Sequence, residues 1–184
     1  FGVWEEELRA ISQNPSQILT PALTWTFVAQ RLLLALFWFA ISMVMTTIAP
    51  GAVGRAVARI RLSTLKISAL GSVVFIGTII AIVGSLSVLP DFLSATLGLM
   101  GLVMILLGYV FGRVALQVTV GKLLQKRFLS DANRSETLAT LLGVVVWTFL
   151  LSVPYLWVIA LFSVFAVGIG LILTARSSNV WQKA

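Results

Sequence analysis

Four strongly apolar stretches of this chain run without a charged residue for lengths that match a bilayer: 23 residues over 32–54, 24 over 67–90, 21 over 92–112 and 39 over 137–175. About 20 apolar residues of helix cross the hydrocarbon core of a membrane. A chain in hydrocarbon must satisfy its backbone polar groups internally, which continuous helices do. These runs predict an all-α, polytopic membrane fold. Composition agrees, with 59% hydrophobic residues, 10% charged residues and a mean hydropathy of +1.06 over 184 residues. A soluble domain of that size needs far more polar surface.

The basic residues predict the orientation. Eleven of the thirteen fall in three places, each beside an apolar run. Arg55, Arg59, Arg61 and Lys66 form one cluster, Arg113, Lys122, Lys126, Arg127 and Arg134 a second, and Arg176 and Lys183 lie in the tail. Positive charge is retained on the cytoplasmic side, so these regions belong inside. Only Arg9 and Arg31 fall in the segments left outside. The expectation is a multi-pass protein of a bacterial inner membrane, with its N-terminus outside and its C-terminus cytoplasmic.

Proline and periodicity divide the chain further. Residues 1–25 are expected to form an extracytoplasmic stalk or interfacial helix, with Trp4, Leu8 and Ile11 on one face and Glu5, Glu6 and Glu7 on the other. Residues 26–176 form a five-span domain and 177–184 a cytoplasmic tail. The first span is expected over 26–49, with Arg31 snorkelling to the head groups and Trp25 at the boundary. Pro50 and Gly51 end it. Over 52–66, Val53, Ala56, Val57 and Ile60 share one side while Arg55, Arg59 and Lys66 share the other, which predicts an amphipathic helix on the inner surface. Further spans are expected over 67–89, 92–112, 137–153 and 155–175, with turns at Pro90 and Pro154. The third continues to Phe128 as a basic extension, and Asn133 with Glu136 is expected to cap the fourth. The fourth and fifth could alternatively form a re-entrant hairpin. A weak internal echo links Leu70-Gly71-Ser72-Val73-Val74 with Leu142-Gly143-Val144-Val145-Val146.

The inventory excludes several kinds of chemistry. There is no Cys and no His, which removes thiol nucleophiles, Cys/His zinc sites and His-ligated haem. No catalytic, cofactor-binding or metal-ligating residue is assigned, and no cofactor is expected. Asp91 is read as a solvated turn residue, and Arg113 as a boundary arginine. Ser42, Thr46, Thr78 and Thr148 are expected to bond to carbonyls of their own helices. Trp38 and Trp147 are read as packing or lipid-facing bulk. The net charge of +7 would point to nucleic acid in a soluble protein. Beside apolar spans it points to acidic lipid instead, with Arg55, Arg59, Arg61, Lys66, Lys122, Lys126 and Arg127 as the head-group contacts.

Small residues mark candidate helix-packing faces. Gly77, Ala81 and Gly84 recur on the second span, Gly101, Gly108 and Gly112 on the third, and Ala166 and Gly170 on the fifth. Such stripes let helix backbones approach closely where lipid offers no hydrophobic drive between helices.

GAVGRAVARIRLSTLKISALGSVVF, LLGYVFGRVALQVTVGKLL and LLGVVVWTFLLSVPYLWVIALF together resemble the membrane-spanning part of bactofilin-type polymer-forming bacterial proteins. The resemblance covers residues 26–176. It implies a membrane anchor joined to an upstream right-handed β-helix domain, with residues 1–25 as the connecting stalk, and it brings no catalytic residues. The opening Phe1 fits a chain with something upstream of it.

The expected function is therefore a non-enzymatic anchor or scaffold subunit, with acidic lipids and other membrane or extracytoplasmic subunits as partners. It could belong to an oligomer or a larger complex, and no nucleic acid is expected. The alternatives are an accessory subunit of a photosynthetic or respiratory complex, and a small transporter or channel component.

Overall fold

The computed structural model describes residues 25–128 and 135–175, and all its regular elements are helices. They are α1 (Trp25–Ile48), α2 (Pro50–Val88), α3 (Asp91–Phe128), α4 (Glu136–Ser152) and α5 (Leu156–Ala175). Four are long and apolar enough to cross a membrane. The exception is α4, whose 17 residues reach about 26 Å at 1.5 Å per residue. The chain is an all-α, polytopic membrane protein. Residues 1–24, 129–134 and 176–184 lie outside the described residues, and with them the expected stalk, the tail, Arg134, Arg176, Lys183 and the proposed cap at Asn133.

Proline sets the turns. Pro50 occupies the start of α2, where its missing N–H would have had no helical partner. Leu89 before Pro90 and Val153 before Pro154 are both extended, because the following ring disfavours the helical region. After Pro154 the chain reverses through Tyr155, whose φ of 64° is the one positive value among the described non-glycine residues. The start of α4 corrects the expected cap: Ser135 is the N-cap, and its hydroxyl accepts from the Leu138 N–H at 3.1 Å.

The amphipathic segment expected over 52–66 belongs to α2. The helix kinks at Ser63, where φ is −150° and ψ 45°. The Ser63 hydroxyl donates to the Arg59 carbonyl at 3.5 Å and the Thr64 hydroxyl to that of Ile60, and such back-bonding bends helices. Val53, Ala56, Val57 and Ile60 are buried, as their spacing predicts. Their cover is protein: Val53 and Val57 pack with Val114 and Val118, and Ala56 and Ile60 with Ala115, Val167 and Leu171. The apolar face that sequence alone assigned to the membrane surface is thus occupied by α3 and α5.

The bundle is organised round α3, which touches all four other helices. Glycine permits its closest approaches. A side-chain carbon on Gly168 would lie 1.8 Å from the Gly108 carbonyl oxygen, and one on Gly112 would lie 2.5 Å from the Gly168 Cα. Where α3 crosses α4, a side-chain carbon on Gly121 would meet the Ala139 carbonyl oxygen at 1.7 Å, and one on Gly143 that of Gln117 at 1.9 Å. Where α2 crosses α5, Gly71 meets Ala166 and Gly170 meets Ile67 in the same way.

Candidate functional site: a buried arginine and a basic end

Polar side chains meet between α1 and α3, where each helix carries them four residues apart. Trp38 and Ser42 lie one turn apart on α1; Tyr109, Arg113 and Gln117 lie on successive turns of α3. The Arg113 guanidinium sits 4.1 Å from the Trp38 ring centroid and 5.8 Å from that of Tyr109, and it donates to the Tyr109 hydroxyl. One turn further, the Ser42 hydroxyl donates to Gln117 Oε1 at 2.7 Å, with both residues fully buried. An aromatic row continues outward from this pair of rungs. Tyr109 packs on Phe165 at 5.1 Å, and Phe165 stacks on Phe75 at 5.0 Å, so α1, α3, α5 and α2 are joined through rings.

Arg113 therefore departs from the boundary role read from sequence. It is 6% exposed, and no carboxylate pairs with it among the described residues. A planar, weakly hydrated guanidinium stacks on an indole face, an arrangement a lysine ammonium would not reproduce. The spacing of Tyr109, Arg113 and Gln117 was the available signal. Ser42 likewise bonds across helices rather than to its own helix. Thr46 and Thr78 do bond to their own carbonyls, at 2.9 Å and 2.8 Å, whereas the Thr148 hydroxyl is buried without a hydrogen-bond partner. Trp38 and Trp147 are both packed inside, at 6% and 8% exposure.

The basic clusters converge at the Pro50 end. Arg61 from α2 joins Lys122 and Lys126 from α3 around an open groove of about 300 Å³, with Gln125, Ser135 and Glu136. Arg55 and Arg59 line a smaller cleft with Ala52, Ala56, Phe111 and Leu171. Lys122 pairs with Glu136 at 3.2 Å. Being largely exposed, that pair contributes about 0–1 kcal/mol. Lys126, Arg127 and Lys66 are exposed. Residues far apart in sequence thus form one positive end, with Lys66 just beyond the kink. Asp91 lies at the opposite end of α3, exposed in its first turn.

The small-residue faces divide in two. Gly108, Gly112, Ala166 and Gly170 lie at helix crossings, and Gly101 faces the Ile82 side chain. Gly77, Ala81 and Gly84 do not pack within the chain: all three are exposed, with open space beyond both glycines. Gly71, Gly121, Gly143 and Gly168 mark crossings that the sequence reading missed. Two of them, Gly71 and Gly143, are the glycines of the internal echo.

No protein-family model matches the chain, and neither does any curated protein or solved structure.

Substituting Arg55, Arg59 and Lys66 together with Gln should loosen the Pro50 end on anionic bilayers, each cation contributing about 1 kcal/mol near such a surface. A spin label at the exposed position 62 reads this directly. Its mobility should rise in the triple variant on anionic bilayers and stay unchanged on neutral ones.

Proposed function

We propose that this chain is a non-enzymatic membrane anchor or scaffold subunit, holding an extracytoplasmic element or a larger assembly at a bacterial inner membrane. The observation that carries the reading is how the interior is filled. Helices meet at backbone distance at three crossings, and the polar layer between α1 and α3 is occupied by the protein's own side chains. A bundle closed in this way suits a rigid holder better than a protein that must open for passage. The basic end would lie against acidic head groups on the cytoplasmic face, and the bactofilin-type resemblance supplies the kind of element held outside.

The uncovered stripe of Gly77, Ala81 and Gly84 favours a second reading, an accessory subunit of a photosynthetic or respiratory complex. Small residues on an open helix face allow a partner's helix to approach closely. Purification from native membrane in mild detergent separates the two: a self-assembled polymer supports the anchor, and co-purifying pigment- or haem-bearing subunits support the accessory role. Orientation has its own test. A reporter active only in the cytoplasm, fused after Ala184, should be active, and activity of a periplasm-dependent reporter there would overturn the five-span topology.

A further inference from the structure

The Pro154 end of the bundle carries a different feature from the basic end. Between α1 and α4 lies an open groove of about 530 Å³, lined mainly by apolar residues such as Val28, Leu32, Ala35, Val145 and Phe149, with Arg31 as its cation. From Phe27 to Ala35 it follows about 12 Å of α1, at 1.5 Å per residue. Arg31 is half-buried, its guanidinium 4.8 Å from the Phe27 ring centroid. Its Nε has no hydrogen-bond partner, and neither has the hydroxyl of Thr148, which also lines the groove. No carboxylate pairs with Arg31 among the described residues. An uncompensated cation on a membrane-embedded helix is costly unless an anion or the interface receives it. Trp25, 89% exposed and about 9 Å along the helix, is of the residue type enriched at the head groups.

We propose that this groove binds an anionic membrane phospholipid, with one acyl chain lying along it and the phosphate on Arg31. The apolar walls match a hydrocarbon chain, and Arg31 supplies the positive charge that selects an anionic head group over a zwitterionic one. The Arg31 guanidinium can hold a phosphate through two parallel N–H donors. This lipid is separate from those at the Pro50 end. The inference rests on membrane embedding alone, so it stands or falls independently of the anchor reading.

Native mass spectrometry of the full chain, released from micelles doped with phosphatidylglycerol or phosphatidylcholine, tests it. The wild type should retain one phosphatidylglycerol in preference to phosphatidylcholine. Arg31→Gln should reduce that preference roughly fivefold, the factor equivalent to about 1 kcal/mol for one cation, and Arg31→Lys should keep most of it. Val145→Trp, at a position already 57% exposed and so tolerant of bulk, should block retention of either lipid by filling the groove. The Gln triple variant at Arg55, Arg59 and Lys66 should leave this lipid in place. The proposal is overturned if the wild type retains neither lipid, if Arg31→Gln keeps the full preference, or if only the triple variant loses the lipid.

Discussion

Replacing Gly168 with alanine is expected to lower the stability of the bundle by about 2–3 kcal/mol, although the new residue is the better helix former. Helix propensity alone would favour alanine by about 1 kcal/mol. The added carbon, however, would lie 1.8 Å from the Gly108 carbonyl oxygen and 3.0 Å from the Gly112 Cα. Both obstacles are backbone, so no side chain can turn aside, and α3 and α5 must move apart. Forcing extra volume into a packed interior typically costs 1–3 kcal/mol. Gly84→Ala is the matched control, since nothing lies within 4 Å of a side-chain carbon there. That variant should be neutral or slightly stabilised. Unfolding of both variants in detergent gives the comparison. A loss at position 168 no larger than at 84 would mean that the two helices do not meet at backbone distance.

Removing the Trp38 ring should cost more. Trp38→Ala deletes a side chain that is 6% exposed, and such truncations cost about 3–5 kcal/mol. It also strips the indole face from Arg113 and the edge contact from Tyr109, whose ring centroid lies 5.4 Å away. Arg113 would then be a buried cation held only by one hydroxyl. Arg113→Met keeps most of the stem and removes the charge, so a double-mutant cycle isolates the ring–cation contact. The coupling should be about 1–2 kcal/mol, the range for a desolvated cation–π pair. Additive losses would place the two residues in separate environments.

Much of the fold was legible in the sequence because charge and proline act locally. The expected spans match the helices to within a residue at most ends, the exception being α2, which begins at Pro50 and not at 67, and Pro50, Pro90 and Pro154 gave the turns. The buried set Val53, Ala56, Val57 and Ile60 followed from helical period. What covers that face did not, because a period gives the direction of a side chain on its own helix and carries no information about its neighbour. The same ambiguity hid Arg113: next to an apolar run, an arginine at the membrane margin and one turned onto a tryptophan 75 positions earlier look alike. It also explains the glycines. Gly77 and Gly168 both lie on small-residue helices, and only the crossing point of a second helix distinguishes them. The basic residues were identifiable singly, but that Arg61 lies beside Lys122 and Lys126 follows from how α2 packs on α3, which no local pattern carries.

The central place of α3 has a consequence for how the protein is made. Ser42 and Gln117 are separated by 75 positions, and Trp38 and Arg113 by the same interval. As the chain leaves the ribosome, α1 and α2 enter the bilayer before α3, which touches both of them, has been synthesised. For that interval α1 carries a hydroxyl and an indole without their partners, and the valine face of α2 lacks Val114 and Val118. Arg113 and Gln117 then give α1 its polar partners, and Val114 and Val118 cover the valines of α2. In this molecule the order of translation leaves the first two helices rearrangeable until α4 and α5, their most extensive partners, have followed α3 into the bilayer.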